Sequence, residues 1–255
     1  MLRSCSAVNA EIPILLWFHR LLMIFVARND LVRAFIFDMD GTLADTMPYH
    51  QLAWDALFAE MCVTVDRDDF FQWSAGLTNR EILPRLLGHD FPIDELLAAS
   101  EKKEAHYREI YRPQLAALPG VLPFLQRALD AGYLRAVGSA APPKNVDLVL
   151  DGLNLRPYFQ TVVGGADVSR GKPDPEIFLR AAEQLGAAPA DCVVFEDAPA
   201  GIEAARRAGM SCVIVTTTLT RAQIAAMGDA VSHVTHVIDD FTDSALNSLF
   251  NNQSK

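Results

Sequence analysis

Short apolar runs alternate with longer amphipathic segments along the chain from residue 31 onward. Six of the runs are rich in β-branched and aromatic residues and have the length of strands: 32–38, 133–139, 160–165, 192–197, 212–217 and 233–238. The segments between the later runs have apolar residues at helical spacing: 143–153, 174–185, 201–208 and 221–226, with 242–250 closing the chain. Such alternation is typical of βαβ units. The pattern therefore predicts an α/β fold with a doubly wound, Rossmann-like parallel sheet.

The interval between the first and second strands is far longer than one crossover requires. It holds about ninety residues of helical pattern, chiefly at 47–61, 79–88 and 93–111, whereas a crossover helix needs only about a dozen residues. We therefore predict an inserted α-helical cap over residues 47–118, with Pro119 and Gly120 marking the return to the core. The α/β core would then comprise two segments: 31–46 and 119–255.

Residues 1–30 form an N-terminal extension whose role the pattern leaves open. Its apolar run, Ile12–Ala27, is interrupted by His19 and Arg20 and falls short of the ~20 residues that span a bilayer. No small-residue cleavage pattern follows it. We expect no membrane partner, although a targeting segment, an extra amphipathic segment and a translation start at Met23 remain alternatives.

Composition and charge narrow the class of protein. The chain has 255 residues, of which 51% are hydrophobic and 21% charged, which is typical of a soluble globular protein with a substantial core. A net charge of −10 argues against a nucleic-acid partner. The four cysteines show no CxxC spacing, so we expect free thiols and a cytoplasmic location. Nothing in the sequence indicates an oligomeric state.

Polar residues follow four of the predicted strands. Asp38 and Asp40 come after the first strand and Ser139 after the second, while Lys172 follows the third. The fourth strand ends in the pair Glu196-Asp197. A turn, a helix cap or a solvated loop charge would explain each residue alone. Because the carboxyl ends of parallel strands meet at one edge, where ligands bind in doubly wound sheets, the four together predict a functional site.

Four sequence motifs contain these polar residues: DMDGTL at 38–43, VGSAA at 137–141, GKPDPE at 171–176 and VFEDAPAGIEAA at 194–205. In order and spacing they resemble the motifs of the haloacid dehalogenase superfamily of phosphotransferases, over residues 33–237. The position of the cap, just after the first motif, is similar to that in the subgroup that contains β-phosphoglucomutase and small sugar-phosphate phosphatases.

The resemblance implies phosphoryl transfer through an aspartyl phosphate. Asp38 would be the nucleophile, and Asp40 would protonate the leaving oxygen and then activate water. Lys172 would offset the negative charge of the nucleophile and the phosphoryl group. The expected donors to the phosphoryl oxygens are the Ser139 hydroxyl and the backbone amides of Ala140 and of Gly41 or Thr42.

The same resemblance implies a Mg²⁺ cofactor. Asp38, the backbone carbonyl of Asp40 and Asp197 would bind it, because a hard cation prefers oxygen ligands and keeps several waters. Glu196 would hold a metal-bound water or lie behind the ligands.

Cap residues are expected to select the substrate. His50 matches a cap histidine of the β-phosphoglucomutase pattern, and Arg80 matches the arginine that binds the distal phosphate in that mutase. Lys144 and Asn145 are similar to its Lys-Asn pair, although two extra residues intervene here. A structural histidine and solvated charges are the alternatives. Ala75 stands where the mutase has a lysine, and Arg108 aligns near its second cap lysine.

We therefore expect a Mg²⁺-dependent phosphatase that acts on a small phosphorylated metabolite, a sugar or polyol phosphate. A β-phosphoglucomutase-like phosphohexomutase is the alternative, since the same core serves both reactions. A non-catalytic binding protein of this fold would be expected to have lost at least one of four residues, all of which are present here: Asp38, Asp40, Lys172 and Asp197.

Overall fold

The computed structural model describes residues 33–87 and 92–253. The N-terminal extension of residues 1–30 lies outside these ranges. No helix of the described ranges is long and apolar enough to cross a membrane.

Six parallel strands form one sheet in the described part of the chain. The strands are β1 Ala34–Phe37, β2 Leu134–Gly138, β3 Thr161–Val163, β4 Cys192–Glu196, β5 Ser211–Val215 and β6 Val234–Ile238. Their order across the sheet is β3-β2-β1-β4-β5-β6, and every neighbouring pair is parallel. The strand order changes direction at β1, which lies between β2 and β4. Each strand falls on an apolar run of the sequence, so the predicted doubly wound sheet is confirmed.

Nine α-helices accompany the sheet within the described ranges. They are α1 Met47–Met61, α2 Arg67–Ser74, α3 Asn79–Leu87, α4 Ile93–Tyr111, α5 Val121–Asp130, α6 Pro143–Gly152, α7 Glu176–Leu185, α8 Pro199–Arg207 and α9 Arg221–Ala226. Helix α8 begins two residues before the predicted start because Pro199 occupies its first turn, where a missing N–H costs nothing. The predicted C-terminal segment forms 3₁₀ turns over Ser244–Gln253 instead of a regular α-helix.

Apolar side chains cover both faces of the sheet. Alternate residues of a strand point to opposite faces, and in β1 Phe35 and Phe37 pack in one cluster whereas Ile36 packs in the other. Helices α5 and α6 contribute to the first cluster, and α7, α8 and α9 contribute to the second. Because both faces are covered, the strands are buried along their length and their polar termini gather at the carboxyl edge.

Helices α1 to α4 lie between β1 and α5 and have an apolar cluster of their own, which includes Trp54, Phe58, Phe70 and Leu96. The chain leaves the sheet after a turn at residues 40–44 and returns at Leu118. At the return the Leu118 N–H donates to the Leu43 carbonyl at 3.0 Å. The two ends of the helical segment therefore lie side by side, next to the carboxyl end of β1.

Candidate active site

The carboxyl edge of the sheet opens into a cavity of about 730 Å³. Its lining brings together the polar residues that follow β1, β2, β3 and β4: Asp38, Asp40, Ser139, Ala140, Lys172, Glu196 and Asp197. The opposite wall comes from α1, α4 and the segment of residues 74–82, and includes His50 and Arg80. The cavity thus has a sheet side that carries the acidic motifs and a helical side above it.

Lys172 is held between two carboxylates at the floor of the cavity. Its Nζ lies 2.5 Å from Asp38 Oδ1 and 2.7 Å from Glu196 Oε1. All three residues are buried. The other oxygen of Glu196 accepts the backbone N–H groups of Asp197, at 2.7 Å, and Ala198, at 2.8 Å. Glu196 therefore fixes the lysine and the start of the loop after β4 at the same time.

Burial and ion pairing shift the pKa values of the groups at this floor in opposite directions. Burial raises the pKa of Asp38 to about 8, although the Lys172 ammonium opposes the shift. Burial would lower the pKa of Lys172, but Asp38 and Glu196 outweigh it and raise that pKa. Burial, followed by the charges of Glu196 and Asp38, raises the pKa of Asp197 well above its ordinary value. Three buried carboxylates thus share a single ammonium group.

The backbone at Gly41 lies very close to the Asp197 carboxylate and helps to position it. Gly41 has φ +80°, and a Cβ on it would lie 2.1 Å from Asp197 Oδ2. Two threonine hydroxyls also contact this site: that of Thr218 donates to Asp197 Oδ2, and that of Thr217 donates to the Gly41 carbonyl. The turn after β1 and the loop after β5 therefore hold Asp197 from two sides.

The donor set at this floor suits a divalent cation. Within residues 33–87 and 92–253, no group of three His, Cys, Asp or Glu side chains has the arrangement of a metal centre. Mg²⁺ commonly takes only one or two protein carboxylates and completes its shell with water and substrate oxygens. The excess of carboxylates over ammonium groups around Asp38 and Asp197 leaves this end of the cavity short of positive charge, which such an ion would supply.

Asp40 lies two residues beyond Asp38 and lines the same cavity. Thr46 Oγ1 donates to its Oδ1 at 2.7 Å, and His50 Nε2 lies 3.5 Å from the same atom. The ammonium of Lys103 approaches His50 Nδ1 at 2.8 Å and can only donate, so Nδ1 is the acceptor of this bond and Nε2 faces Asp40. His50 also stacks on Tyr107, with ring centroids 3.8 Å apart.

Sequence reasoning missed Lys103, which the structure places at the cavity where the alignment suggested Arg108. Lys103 is 4% exposed and lies on α4 in the buried stripe of Leu96, Tyr107 and Tyr111. A lysine at helical spacing from three buried apolar or aromatic residues was the signal for it. Arg108, one residue past Tyr107, contacts Asn145 and Glu101 instead of lining the cavity.

Glu104 is a second buried charged residue that the sequence did not single out. Its Oε1 accepts from Lys103 and from Asn79, both at 2.8 Å, and its Oε2 accepts from Asn145 at 2.6 Å. Burial would raise the pKa of Glu104, but the charges of Lys103 and His50 and these hydrogen bonds lower it to about 2. The carboxylate is therefore ionised at neutral pH and links α3 and α4 to α6 of the core.

The remaining predicted residues divide into two groups. Arg80 and Ala140 line the cavity. Lys144, Asn145, Gly41 and Thr42 are not among its lining residues. The Lys144 ammonium contacts Glu101 at 2.7 Å. The amides of Gly41 and Thr42 donate within the turn, to the carbonyls of Ala44 and Met39.

Comparisons with known proteins agree with the geometry. Residues 32–209 match the family model of the haloacid dehalogenase-like hydrolases. The fructose-1-phosphate phosphatase YqaB of Escherichia coli is 35% identical over 180 residues, which cover 71% of this chain and 94% of that protein. The β-phosphoglucomutase of Bacillus subtilis is 33% identical over 190 residues, covering 71% of this chain and 82% of that protein. A crystal structure of β-phosphoglucomutase from Clostridium difficile superposes with a TM-score of 0.74 at 27% identity, covering 87% of this chain and 98% of that one.

Proposed function

The chain belongs to the haloacid dehalogenase-like hydrolase family of enzymes, and we propose that it is a Mg²⁺-dependent phosphatase of a small phosphorylated metabolite. A sugar or polyol phosphate is the proposed substrate class, and an aspartyl phosphate on Asp38 is the proposed intermediate. The observation that carries the proposal is the buried set of Asp38, Lys172 and Asp197 at the floor of a cavity large enough for such a metabolite.

In the first step, an oxygen of Asp38 attacks the phosphorus of the substrate and the bond to the leaving oxygen breaks. Lys172, held by Glu196 at 2.7 Å, faces the negative charge that the transfer concentrates. The Ser139 hydroxyl and the backbone N–H of Ala140, both in the lining, are the proposed donors to the phosphoryl oxygens. The floor thereby offsets the repulsion between two anions, which is the main obstacle to this attack.

Asp40 is the proposed proton donor to the leaving oxygen and afterwards the base that takes a proton from water. Among the described residues, Thr46 and His50 contact its Oδ1, and this leaves Oδ2 for the substrate side. The water attacks the phosphorus of the aspartyl phosphate, which releases inorganic phosphate and restores Asp38.

The carboxylates of Asp38 and Asp197 and the backbone carbonyl of Asp40 are the groups proposed to bind Mg²⁺. When bound, the ion would supply positive charge to the nucleophile and the transferring oxygens. Because both oxygens of Glu196 are engaged by Lys172 and by backbone N–H groups, we assign Glu196 to positioning the lysine behind the metal ligands. A cytoplasmic location is part of the proposal and is supported by the buried free thiols of Cys192 and Cys212.

A phosphohexomutase activity is the second candidate. Arg80, which matches the arginine of the mutase pattern, lines the helical wall of the cavity opposite Asp38. The structural similarity to β-phosphoglucomutase also favours this candidate. The two activities differ in whether water or a sugar hydroxyl attacks the aspartyl phosphate.

The test is a screen of phosphorylated metabolites with Mg²⁺, run beside an assay for β-glucose 1-phosphate isomerisation primed with the bisphosphate. We expect release of inorganic phosphate from a sugar or polyol phosphate. A hexose 6-phosphate product without phosphate release would instead establish the mutase.

Asp38→Asn tests the nucleophile. We expect it to abolish Mg²⁺-dependent phosphate release while the protein remains folded, because the amide cannot form the aspartyl phosphate. Asp45→Asn is the matched control, since Asp45 is exposed and seven residues away, and it should keep wild-type turnover. Undiminished turnover by Asp38→Asn would refute the assignment.

A further inference from the structure

The helical wall of the cavity carries more negative than positive charge. Its charged lining residues within 47–118 are Arg80, Glu81, Glu101, Lys103 and Glu104. Three carboxylates against two cations leave one net negative charge on the described part of this wall. A substrate whose reacting phosphate lies at Asp38 shares the cavity with these charged residues.

The positive charge of Lys103 is already neutralised. Lys103 and Glu104 form a buried ion pair at 2.8 Å, with side chains 3% and 4% exposed. Because the pKa of Glu104 is lowered to about 2, its carboxylate is ionised at neutral pH. The same ammonium contacts His50 Nδ1. A ligand that used Lys103 would have to compete with a carboxylate from which water is excluded.

Two further cations, Lys144 and Arg108, are engaged by Glu101 of the same wall. Glu101 Oε1 accepts from Lys144 at 2.7 Å and from Arg108 at 2.8 Å. The side chain of Asn145 is bonded at both ends, to Arg108 through Oδ1 and to Glu104 through Nδ2, and the residue is fully buried. Lys144 and Asn145, which are similar to the Lys-Asn pair of the mutase, are thus bonded to acidic residues of α4.

A second phosphate would meet this wall at a disadvantage. A phosphomonoester carries about −1.5 to −2 charges at pH 7. Among the described residues, Arg80 is the one cation of the helical lining without a carboxylate within ion-pair distance. Because Lys103 is paired with Glu104, and Lys144 and Arg108 are paired with Glu101, a buried dianion would gain one unpaired cation here, and its desolvation costs more than that single pair returns. Neutral polar side chains line the same wall: Ser74, Thr78, Asn79 and Ser100. Thr78 and Asn79 donate to Glu81 and Glu104, whereas the hydroxyls of Ser74 and Ser100 can still donate to a substrate hydroxyl.

We propose that the site takes a sugar or polyol monophosphate whose distal end is uncharged, and that Glu101 and Glu104 exclude bisphosphates. The inference rests on the proposed function, because it assumes that the reacting phosphate lies at Asp38. It goes further by assigning specificity to two acidic residues of α4 that engage the surrounding cations.

The experiment measures competition against turnover of p-nitrophenyl phosphate with Mg²⁺ at constant ionic strength. Fructose 1-phosphate, fructose 1,6-bisphosphate and 2-phosphoglycolate are the three probes. For the wild type we expect fructose 1-phosphate to have the lowest inhibition constant of the three probes, by about tenfold or more, which corresponds to about 1.4 kcal/mol. In Glu101→Gln and in Glu104→Gln the ratio of the inhibition constant of fructose 1,6-bisphosphate to that of fructose 1-phosphate should shrink about fivefold or more, because the cations paired with these glutamates are released to bind the second phosphate.

Glu109→Gln is the matched control, since it removes the same charge from the same helix at a side chain that is 81% exposed. Its inhibition constants should keep the wild-type ratio. If Glu104→Gln does not fold, Glu101→Gln still decides the matter, because Glu101 is 51% exposed at its side chain. Equal wild-type inhibition by the bisphosphate or by phosphoglycolate would overturn the inference, and so would equal changes in Glu101→Gln and Glu109→Gln.

Failure of the proposed function has a different signature. It would appear as absent turnover of p-nitrophenyl phosphate by the wild type in Mg²⁺. Calorimetric dissociation constants of the same three probes would then still measure selectivity, and a preference for the bisphosphate would overturn the inference by itself.

Discussion

Lys172 is the buried cation at the floor of the cavity, and its side chain contacts three other residues. It contacts Asp38 and Glu196 and lies 4.8 Å from the ring centre of Phe178. A buried cation between two carboxylates is costly to disturb, because removing one partner of a buried pair leaves an unpaired charge, at about 3–5 kcal/mol. An arginine would not replace it well, since a planar guanidinium needs more room than an ammonium group. We therefore expect loss of Lys172 to destabilise the fold as well as to impair the proposed catalysis.

The lowered pKa of Glu104 leads us to expect that the free energy of unfolding depends on pH. Its folded pKa of about 2 lies below the ordinary 4.5, so its stabilisation is complete above pH 4.5 and is lost as the pH falls toward 2. Between pH 6 and pH 3 the wild type should lose about 2 kcal/mol more unfolding free energy than Glu104→Gln. Urea unfolding at both pH values measures the difference. Glu109→Gln should follow the wild type, and parallel curves for all three proteins would contradict the prediction.

Residues at strand ends were predictable, whereas the buried charges on helices were less so, and helical spacing marks Lys103 but not Glu104. Asp38, Ser139 and Asp197 each follow an apolar run whose end the sequence marks clearly, and parallel strands bring such ends together. Lys103 and Glu104 lie within a long helix that carries several other charged residues. Which of these charges is buried depends on packing against α1 and α6, and no local pattern specifies that packing.

At the level of elements, the turn after β1 determines the position of Asp197. It folds back through hydrogen bonds from Gly41 to Ala44 and from Leu43 to Met39. Only a residue without a side chain allows the backbone to reach the Asp197 carboxylate at this point. Gly41 of the first motif is thus needed to leave room for the Asp197 carboxylate of the fourth motif, about 150 residues away in sequence.

Gly41→Ala should lower turnover by about 100-fold or more, because it displaces Asp197, a proposed Mg²⁺ ligand, from its place near Asp38, the proposed nucleophile. Gly186→Ala is the control: Gly186 also has a positive φ, +67°, but a Cβ there meets nothing within 4 Å. The control should lose about 1–2 kcal/mol of stability from backbone strain and keep its activity. Steady-state kinetics with thermal unfolding of both variants measures the contrast. Equal activity of the two would show that the close approach is dispensable.

The elements themselves were largely predictable from apolar periodicity. All six strands coincide with predicted runs because a sheet buried on both faces requires continuous apolar segments. The C-terminal segment differs because Asp240 and Asp243 accept nearby backbone N–H groups, from Thr242 and Ala245. Local bonds of this kind compete with the regular helical pattern. Periodicity alone does not detect that competition.

At the scale of the whole molecule, the net charge of −10 is distributed so that part of the negative excess is buried at the catalytic floor. Burial raises the pKa values of Asp38 and Asp197, so folding without a counterion concentrates unfavourable charge there. The protein therefore keeps its active site at a cost in stability, which a bound cation would offset.

Mg²⁺ should accordingly stabilise the protein against heat. At a concentration about 100 times its dissociation constant, the ion adds about 2.7 kcal/mol, which is roughly 5–10 °C in Tm for a chain of this size. Asp197→Asn should show less than about half of the shift because one proposed ligand is lost. Differential scanning fluorimetry with NaCl at matched ionic strength is the measurement. An identical shift in both proteins would place the ion elsewhere.

The hydrogen bond between Leu118 and Leu43 has a consequence for how such enzymes diversify. Since both ends of the helical segment meet at one backbone contact, a replacement segment needs only similarly spaced ends, and the closure entropy depends weakly on its length. Recombination at these two positions would exchange residues 47–117 as a cassette and leave the sheet and its catalytic edge intact. Chimaeras with segments from relatives would thus vary the substrate while holding the chemistry constant.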